Sequence, residues 1–117
     1  MHMTLRPARV ALFAATCLLT ALVASAALAD DAKATYDKMC ASCHGPGGKG
    51  DGPAAKMLKP APQEFAAALK GKSDADIMKT VKEGGKAVGK AASMPAYGAK
   101  MSDDQIKGIV EYIKGLK

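Results

Sequence analysis

The sequence predicts an all-α domain made of three to five short helices. Two segments, one near residues 73–84 and one from residue 102 onward, repeat apolar residues at helical spacing behind a capping serine. No segment alternates apolar and polar residues convincingly enough to predict a strand. The chain has 117 residues and no internal repeat, so we expect a single folded domain.

The N-terminal segment has the organisation of a secretory leader. Arg6 and Arg9 precede a long apolar run that ends in Ala-Leu-Ala before two aspartates. A basic N-terminal region, an apolar middle and small residues before the cleavage site are typical of a cleaved signal peptide. We therefore predict that residues 1–29 are removed after Ala29 and that residues 30–117 form the folded domain.

The leader also predicts where the mature protein works. We expect export to the periplasm of a bacterium, with no stable membrane span left after cleavage. A retained anchor is the alternative, but the run contains Thr16, Thr20 and Ser25 and has no basic flank on its far side. Cleavage removes two arginines, so the formal charge falls from +6 to +4.

The helical elements can be placed in chain order. The first helix is predicted from about residue 32 to Cys40. A loop rich in glycine and proline follows and extends to about Gln63, because these residues interrupt regular structure. A short helix is then expected over residues 64–69. This arrangement puts a long irregular segment between the first two helices.

The two later helices have clear start signals. Ser73 is followed three residues later by Asp76, and the helix is expected to stop at Gly84. Ser102 and Gln105 form the pattern of a capping box for the last helix. Its predicted buried stripe consists of Ile106, Ile109, Val110 and Ile113. Gly108, inside that helix, marks either a close approach to the first helix or a loosely packed position where a glycine is tolerated.

The motif Cys40-Ala41-Ser42-Cys43-His44 is the strongest chemical signal in the chain. Two thiols at this spacing followed by an imidazole form the attachment signature of c-type haem. Cys40 and Cys43 would form thioethers to the porphyrin, and His44 would be the proximal iron ligand. A zinc site lacks a fourth ligand, because His2 and Cys17 lie in the leader. A thioredoxin-like redox pair would need a βαβ pattern, which is not visible.

The distal iron ligand separates an electron carrier from a gas binder or an enzyme. The mature chain offers five methionines: Met39, Met57, Met78, Met94 and Met101. Met94 lies in an irregular stretch and precedes Pro95, whose fixed φ can hold a ligand loop in shape. We predict Met94 as the distal ligand, with Met101 and Met57 as the alternatives.

With these residues in view, the chain from residue 30 to 117 resembles a small monohaem cytochrome c of the bacterial class I type. The resemblance rests on four features in this order: the haem motif, the glycine-rich loop over residues 47–53, Ser93-Met94-Pro95 and a C-terminal helix. It implies a cytochrome c-like fold around one covalent haem c, with Tyr36 and Tyr112 supporting a crossing of the first and last helices. It also implies that a loop carbonyl orients His44, at Pro53, Pro60 or Pro62.

We therefore expect a non-enzymatic, monomeric one-electron carrier. Its partners would be redox proteins, with acidic docking patches that complement the many lysines. Nucleic-acid binding is not expected of an exported chain with few aromatic residues and no basic helix. Two alternatives remain open. One is a five-coordinate haem protein that binds a diatomic gas or acts as a peroxidase, and the other is a haem-bearing subunit of a larger oxidoreductase.

Overall fold

A computed structural model describes residues 28–116 of the protein. Residues 1–27 and residue 117 lie outside the described residues. Almost all of the predicted leader, together with His2 and Cys17, therefore falls outside the described part, and cleavage after Ala29 stays a prediction.

The described residues form five α-helices and two 3-10 helices, with no strand among them. The α-helices are α1 (residues 28–39), α2 (Ala41–His44), α3 (Phe65–Ala68), α4 (Asp74–Glu83) and α5 (Asp103–Gly115). The 3-10 helices are Ala55–Met57 and Lys86–Val88. The all-α prediction is confirmed. The predicted first helix corresponds to α1, which ends one residue before the predicted end at Cys40. The four-residue α2 after the turn at Cys40 was not predicted.

Both predicted serine caps are present. Ser73 Oγ accepts a hydrogen bond from the Asp76 amide, and Ser102 forms a full capping box with Gln105. These contacts satisfy backbone amides that have no partner within the helix, so they fix where α4 and α5 begin. Helix α4 ends before Gly84, whose φ of 84° lies in the region that glycine adopts most easily.

The core is an apolar cluster centred on α5. The predicted stripe of this helix is buried, and the helix packs against α3 and α4. Tyr36 from α1 is fully buried in the same cluster, and its ring lies 5.2 Å from the ring of Tyr112. Aromatic pairs at this separation add stability beyond the apolar area that they bury. The two tyrosines therefore join α1 to α5, as the resemblance implied.

Gly108 lies opposite α1, but the packing does not require a glycine there. A Cβ added at this position would lie 3.6 Å from the Cβ of Ala32, which is an ordinary van der Waals contact. The structure therefore fits a position where glycine is tolerated better than one where a close approach of the helices requires it.

Four ion pairs lie on the surface of the described residues: Lys33–Asp37, Lys49–Glu64, Lys82–Asp103 and Lys114–Asp74. All eight side chains are more than two-fifths exposed. Exposed pairs of this kind contribute about 0–1 kcal/mol each, so the fold depends mainly on its apolar core. Within residues 28–116, no helix is long and apolar enough to cross a membrane.

Candidate haem site

The two cysteines and the histidine of the motif lie on one tight turn. The His44 amide donates to the Cys40 carbonyl over 2.9 Å, and the Cys43 amide donates to the same carbonyl over 3.2 Å. The Cys40 amide in turn donates to the carbonyl of Tyr36 in α1. Both thiols are free and partly buried. The turn thus continues from the end of α1 and brings both thiols and the imidazole together.

The glycine-rich loop closes against this turn through its backbone. The Gly50 amide donates to the His44 carbonyl over 2.8 Å, and the Gly52 amide donates to the Cys43 carbonyl over 3.3 Å. A Cβ at Gly52 would lie 2.3 Å from the Ser42 carbonyl oxygen, so only glycine fits there. The loop fixes the backbone of the turn from its outer side.

Tyr36 fixes the same turn from the core side. Its hydroxyl donates a buried 2.6 Å hydrogen bond to the carbonyl of Gly45, the residue after His44. Burial is the main reason that the pKa of Tyr36 rises to about 12. The hydroxyl therefore stays protonated over the physiological range and remains a donor to Gly45.

The imidazole of His44 is stacked on Phe65. The two ring centroids are 4.7 Å apart, and the ring planes are inclined by 23°. Phe65 also packs edge-on to Tyr36, with centroids 6.3 Å apart. Sequence reasoning missed this role for Phe65, because nothing in a single phenylalanine that opens a short helix indicates which side chain it will face.

A large cavity adjoins the turn. Its volume is about 760 Å³, within the roughly 300–1,000 Å³ of typical cofactor and ligand sites. Cys40, Cys43, His44 and Met94 all line it. Much of the remaining lining is apolar, including Leu58, Pro60, Pro62, Leu69, Ile77, Val88, Ile109 and Ile113. The four predicted site residues therefore share one cavity of mixed sulfur, imidazole and apolar lining.

Of the five methionines in residues 30–117, the structure separates Met94 from its two alternatives. Met94 lines the cavity, as does Met39 beside Cys40. Met57 is 84% exposed and Met101 is buried in the core, and neither lines the cavity. Met78 packs against the core cluster. Met94 and Met39 are thus the methionine sulfurs at the cavity wall, and Met39 belongs to the helix that leads into the turn.

Residues 91–98, which we call the Met94 segment, are hydrogen-bonded to the end of α4 and to the glycine pair that follows it. The Gly85 amide donates to the Met94 carbonyl over 2.9 Å, and the Tyr97 amide donates to the Val81 carbonyl over 3.0 Å. Gly84 and Gly85 permit this approach. A Cβ at Gly85 would lie 2.0 Å from the carbonyl oxygen of Ala91. The glycine pair that ends α4 therefore also admits the Met94 segment.

Burial sets the protonation of the cysteine and histidine in the site. Burial, and secondarily the neighbouring Cys43, raises the pKa of Cys40 to about 11, so this residue is a neutral thiol at pH 7. Burial lowers the pKa of His44, which favours the neutral imidazole. A neutral imidazole is the form of histidine that binds metals. The protonation of His44 thus suits it to be an iron ligand.

One ring nitrogen of His44 lacks a partner. Nδ1 is buried and makes no hydrogen bond within the described structure. The carbonyl contact that the resemblance implied, from Pro53, Pro60 or Pro62, is therefore not made here, although Pro60 and Pro62 line the cavity. A buried nitrogen without a partner indicates a site whose chemistry the polypeptide alone does not complete. Together with the cavity and its sulfur donors, it fits a haem group.

Three lysines line the cavity as well: Lys72, Lys79 and Lys90. None of them takes part in the four ion pairs of the described surface. The lysine count predicted a basic surface, but not which lysines border the cavity.

The helical fold, together with a Cys-x-x-Cys-His turn and a methionine that line one cavity, defines a cytochrome c domain. The chain belongs to the family described as cytochrome C oxidase, cbb3-type, subunit III, whose model matches residues 27–113. Cytochromes c typically transfer electrons and function outside the cytoplasm, and membership of this family implies covalent haem c. The expected resemblance to class I cytochromes c is confirmed.

A curated relative agrees with the family match. The chain is 30% identical over 91 residues to the cbb3-type cytochrome c oxidase subunit CcoP of Azospirillum brasilense. The matched region covers 78% of this chain and 29% of that relative. The match thus spans under a third of the length of the CcoP subunit.

Proposed function

We propose that this protein is a one-electron carrier of the periplasm that shuttles between redox proteins. In this proposal one haem c is attached through Cys40 and Cys43, with His44 as proximal and Met94 as distal iron ligand. The proposal rests on one observation above all: these four side chains, from two distant parts of the chain, line the same cavity.

The residues around the cavity suit this role. When bound, haem c supplies an iron that gains or loses one electron. Imidazole and thioether are ligands that electron-transfer cytochromes use in common, and methionine ligation raises the reduction potential. Phe65 and Tyr36 hold the His44 side in place, and the α4 backbone holds the Met94 side. A site held rigidly on both sides needs little rearrangement when the charge changes.

The cavity-lining lysines support a proposal about partners. Lys72, Lys79 and Lys90 give this face a positive charge that would attract an acidic surface on a redox partner. Carrier complexes of this kind are small and short-lived, because the carrier must leave after each transfer. The protein would work as a monomer and would catalyse no reaction of its own.

A second candidate function has a specific observation in its favour. The family and the curated relative are both oxidase subunits, so the chain could act as the haem-bearing part of a larger oxidoreductase. Size-exclusion chromatography of native extract separates the two candidates. A free carrier elutes at its own small size, whereas a subunit elutes with a much larger complex.

The third candidate, a five-coordinate gas-binding protein or peroxidase, requires an open distal position. Met94 at the cavity wall argues against it. Reduced protein that binds carbon monoxide rapidly would favour this candidate over the carrier.

The test starts from protein made in a host that matures c-type cytochromes. We expect the exported product to begin at Asp30 and to weigh one haem more than its polypeptide. The absorption spectrum of the ferric protein should show a weak band near its red end, here called the red-end band, which reports a bond between methionine sulfur and iron. An unmodified polypeptide mass from such a host would refute the proposal.

A methionine variant then tests the distal ligand. Met94→Ala should abolish the red-end band and lower the reduction potential, because a weak or absent distal ligand stabilises the reduced iron less. Met57→Ala is the matched control, since Met57 is 84% exposed and does not line the cavity. Loss of the band in Met101→Ala, with the band retained in Met94→Ala, would show that the assignment of Met94 is wrong.

A further inference from the structure

We propose that the Tyr97 hydroxyl is a positioning group that keeps Met94 at the haem iron. The inference deepens the proposed function, and it rests on His44 and Met94 being the two axial ligands. It assigns to Tyr97 a role that acts through the position of the Met94 segment and not through contact with the iron.

The backbone hydrogen bonds of the Met94 segment run to α4 and its end and to the residues that lead into α5, and none of them reaches the turn that carries the cysteines. The amides of Gly85, Tyr97 and Gly98 take part in bonds that join this segment to α4, with donor–acceptor distances of 2.9–3.0 Å. The turn that carries Cys40, Cys43 and His44 continues instead from α1. The two walls of the cavity therefore belong to different parts of the fold, and these backbone bonds do not hold them together.

The Tyr97 side chain joins the two walls. Its hydroxyl donates a 3.0 Å hydrogen bond to the carbonyl of Met39, the residue directly before Cys40. Tyr97 is three residues after Met94, and it lines the cavity together with Met39 and Met94. Within residues 28–116, this is the hydrogen bond that directly connects the Met94 segment with the end of α1.

The rest of the tyrosine is held firmly enough to transmit this contact. Its ring is partly buried against the core cluster, and its amide donates to the carbonyl of Val81 in α4. The Tyr97 carbonyl also accepts from the amides of Lys100 and Met101, which lead into α5. A residue anchored in this way can fix the distance between the Met94 segment and the attachment turn.

The expected consequence concerns the fraction of molecules in which Met94 has left the iron. An added ligand that competes for the distal position binds in proportion to that fraction. Loss of one hydrogen bond of ordinary net strength changes such an equilibrium about two- to tenfold. Tyr97→Phe should therefore raise the apparent affinity of the ferric holoprotein for imidazole by about two- to tenfold.

The experiment compares two tyrosine-to-phenylalanine variants of the holoprotein. Tyr97→Phe removes the bond between the Met94 segment and the Met39 carbonyl. Tyr112→Phe, the control, removes a tyrosine hydroxyl at a position that does not line the cavity. Imidazole is titrated into each ferric protein while the red-end band is followed, and the reduction potential is measured in parallel. We expect the imidazole affinity to rise in Tyr97→Phe, with little change in Tyr112→Phe, and the potential of Tyr97→Phe to fall.

The outcomes distinguish this inference from the function on which it rests. A wild-type holoprotein without the red-end band overturns both. A wild-type band with unchanged imidazole affinity in Tyr97→Phe overturns the role of Tyr97 alone. An equal rise in both variants also overturns it, because the effect would then be general loosening of the fold.

Discussion

Phe65 lies face to face with His44, with ring centroids 4.7 Å apart. The same phenylalanine contacts Tyr36, whose hydroxyl holds the carbonyl next to His44. Phe65 comes from α3, about twenty residues beyond the turn, and its amide donates to the Gly48 carbonyl in the loop between them. One residue therefore links the imidazole and the core of the domain through its side chain and the glycine-rich loop through its backbone amide.

Replacing Phe65 should weaken the fold at this junction. Phe65→Leu retains most of the apolar volume but loses both aromatic contacts, which are worth about 0.5–1.5 kcal/mol each. We expect urea unfolding of the holoprotein to show a loss of about 1–3 kcal/mol. Ile106→Val, a small core change away from the imidazole, is the control for general core loosening. A Phe65→Leu protein as stable as wild type would contradict a structural role for the stacking.

Tyr36 should make the protein sensitive to alkaline pH. Burial raises its pKa from 10.0 to about 12, so folding favours the protonated hydroxyl. The resulting stabilisation is fully present below pH 10 and is lost as the pH rises from 10 towards 12.

The measurement is denaturant unfolding of wild type and Tyr36→Phe at pH 8 and pH 11. We expect wild type to be the more stable at pH 8, because the variant lacks the bond to Gly45. The difference should shrink at pH 11, since the variant has no hydroxyl to ionise. A difference that is constant with pH would argue against the raised pKa.

Two glycine substitutions should have opposite effects. Gly108→Ala fills ordinary contact space against Ala32 and improves helix propensity, so the free energy of unfolding should rise by up to about 1 kcal/mol. Gly85→Ala would drive a Cβ into the Ala91 carbonyl, so it should destabilise the segment that carries Met94. Thermal melts and the intensity of the red-end band of both holoproteins test this pair. Destabilisation by Gly108→Ala would mean that α1 and α5 need the glycine after all.

The chain without haem should be poorly folded. The described domain is short, and the large cavity would leave much of its interior lining without packing partners. The double variant Cys40→Ala, Cys43→Ala should give a weak, non-cooperative melt by circular dichroism. A native-like cooperative melt would show that the polypeptide core is sufficient by itself.

The positive charge of Lys72, Lys79 and Lys90, which line the cavity, should raise the rate at which anionic redox reagents react with the protein. Lys79→Glu should slow oxidation of the reduced protein by the anion ferricyanide, and added salt should reduce the difference from wild type. Lys33→Glu makes the same charge change on α1, where Lys33 is paired with Asp37 and does not line the cavity. Equal slowing by both variants would indicate an effect of net charge and not of this face.

Local signals in the sequence predicted α4 and α5 and singled out the candidate site residues. The serine caps and the buried stripe of α5 depend on neighbours three or four residues away, and the structure confirms them. The haem motif is likewise contained in five consecutive residues. Met94 could be singled out because Pro95 follows it in an irregular stretch, and it does line the cavity.

Contacts between distant segments could not be predicted in this way. The stacking of Phe65 on His44 and the bond from Tyr97 to Met39 depend on how the helices are placed in space. The short helix α2 was also not predicted, because the turn at Cys40 retains a helical hydrogen bond to Tyr36 and changes no local pattern. Which lysines border the cavity is again a property of the assembled fold.

The ion pairs of this domain all lie at exposed positions, while its interior is apolar. A rise in ionic strength screens exposed charges more than buried ones. The architecture of the domain should tolerate that change, because little of its stability is electrostatic. Under the proposed carrier function, encounters with acidic redox partners would slow instead, while the domain stayed folded.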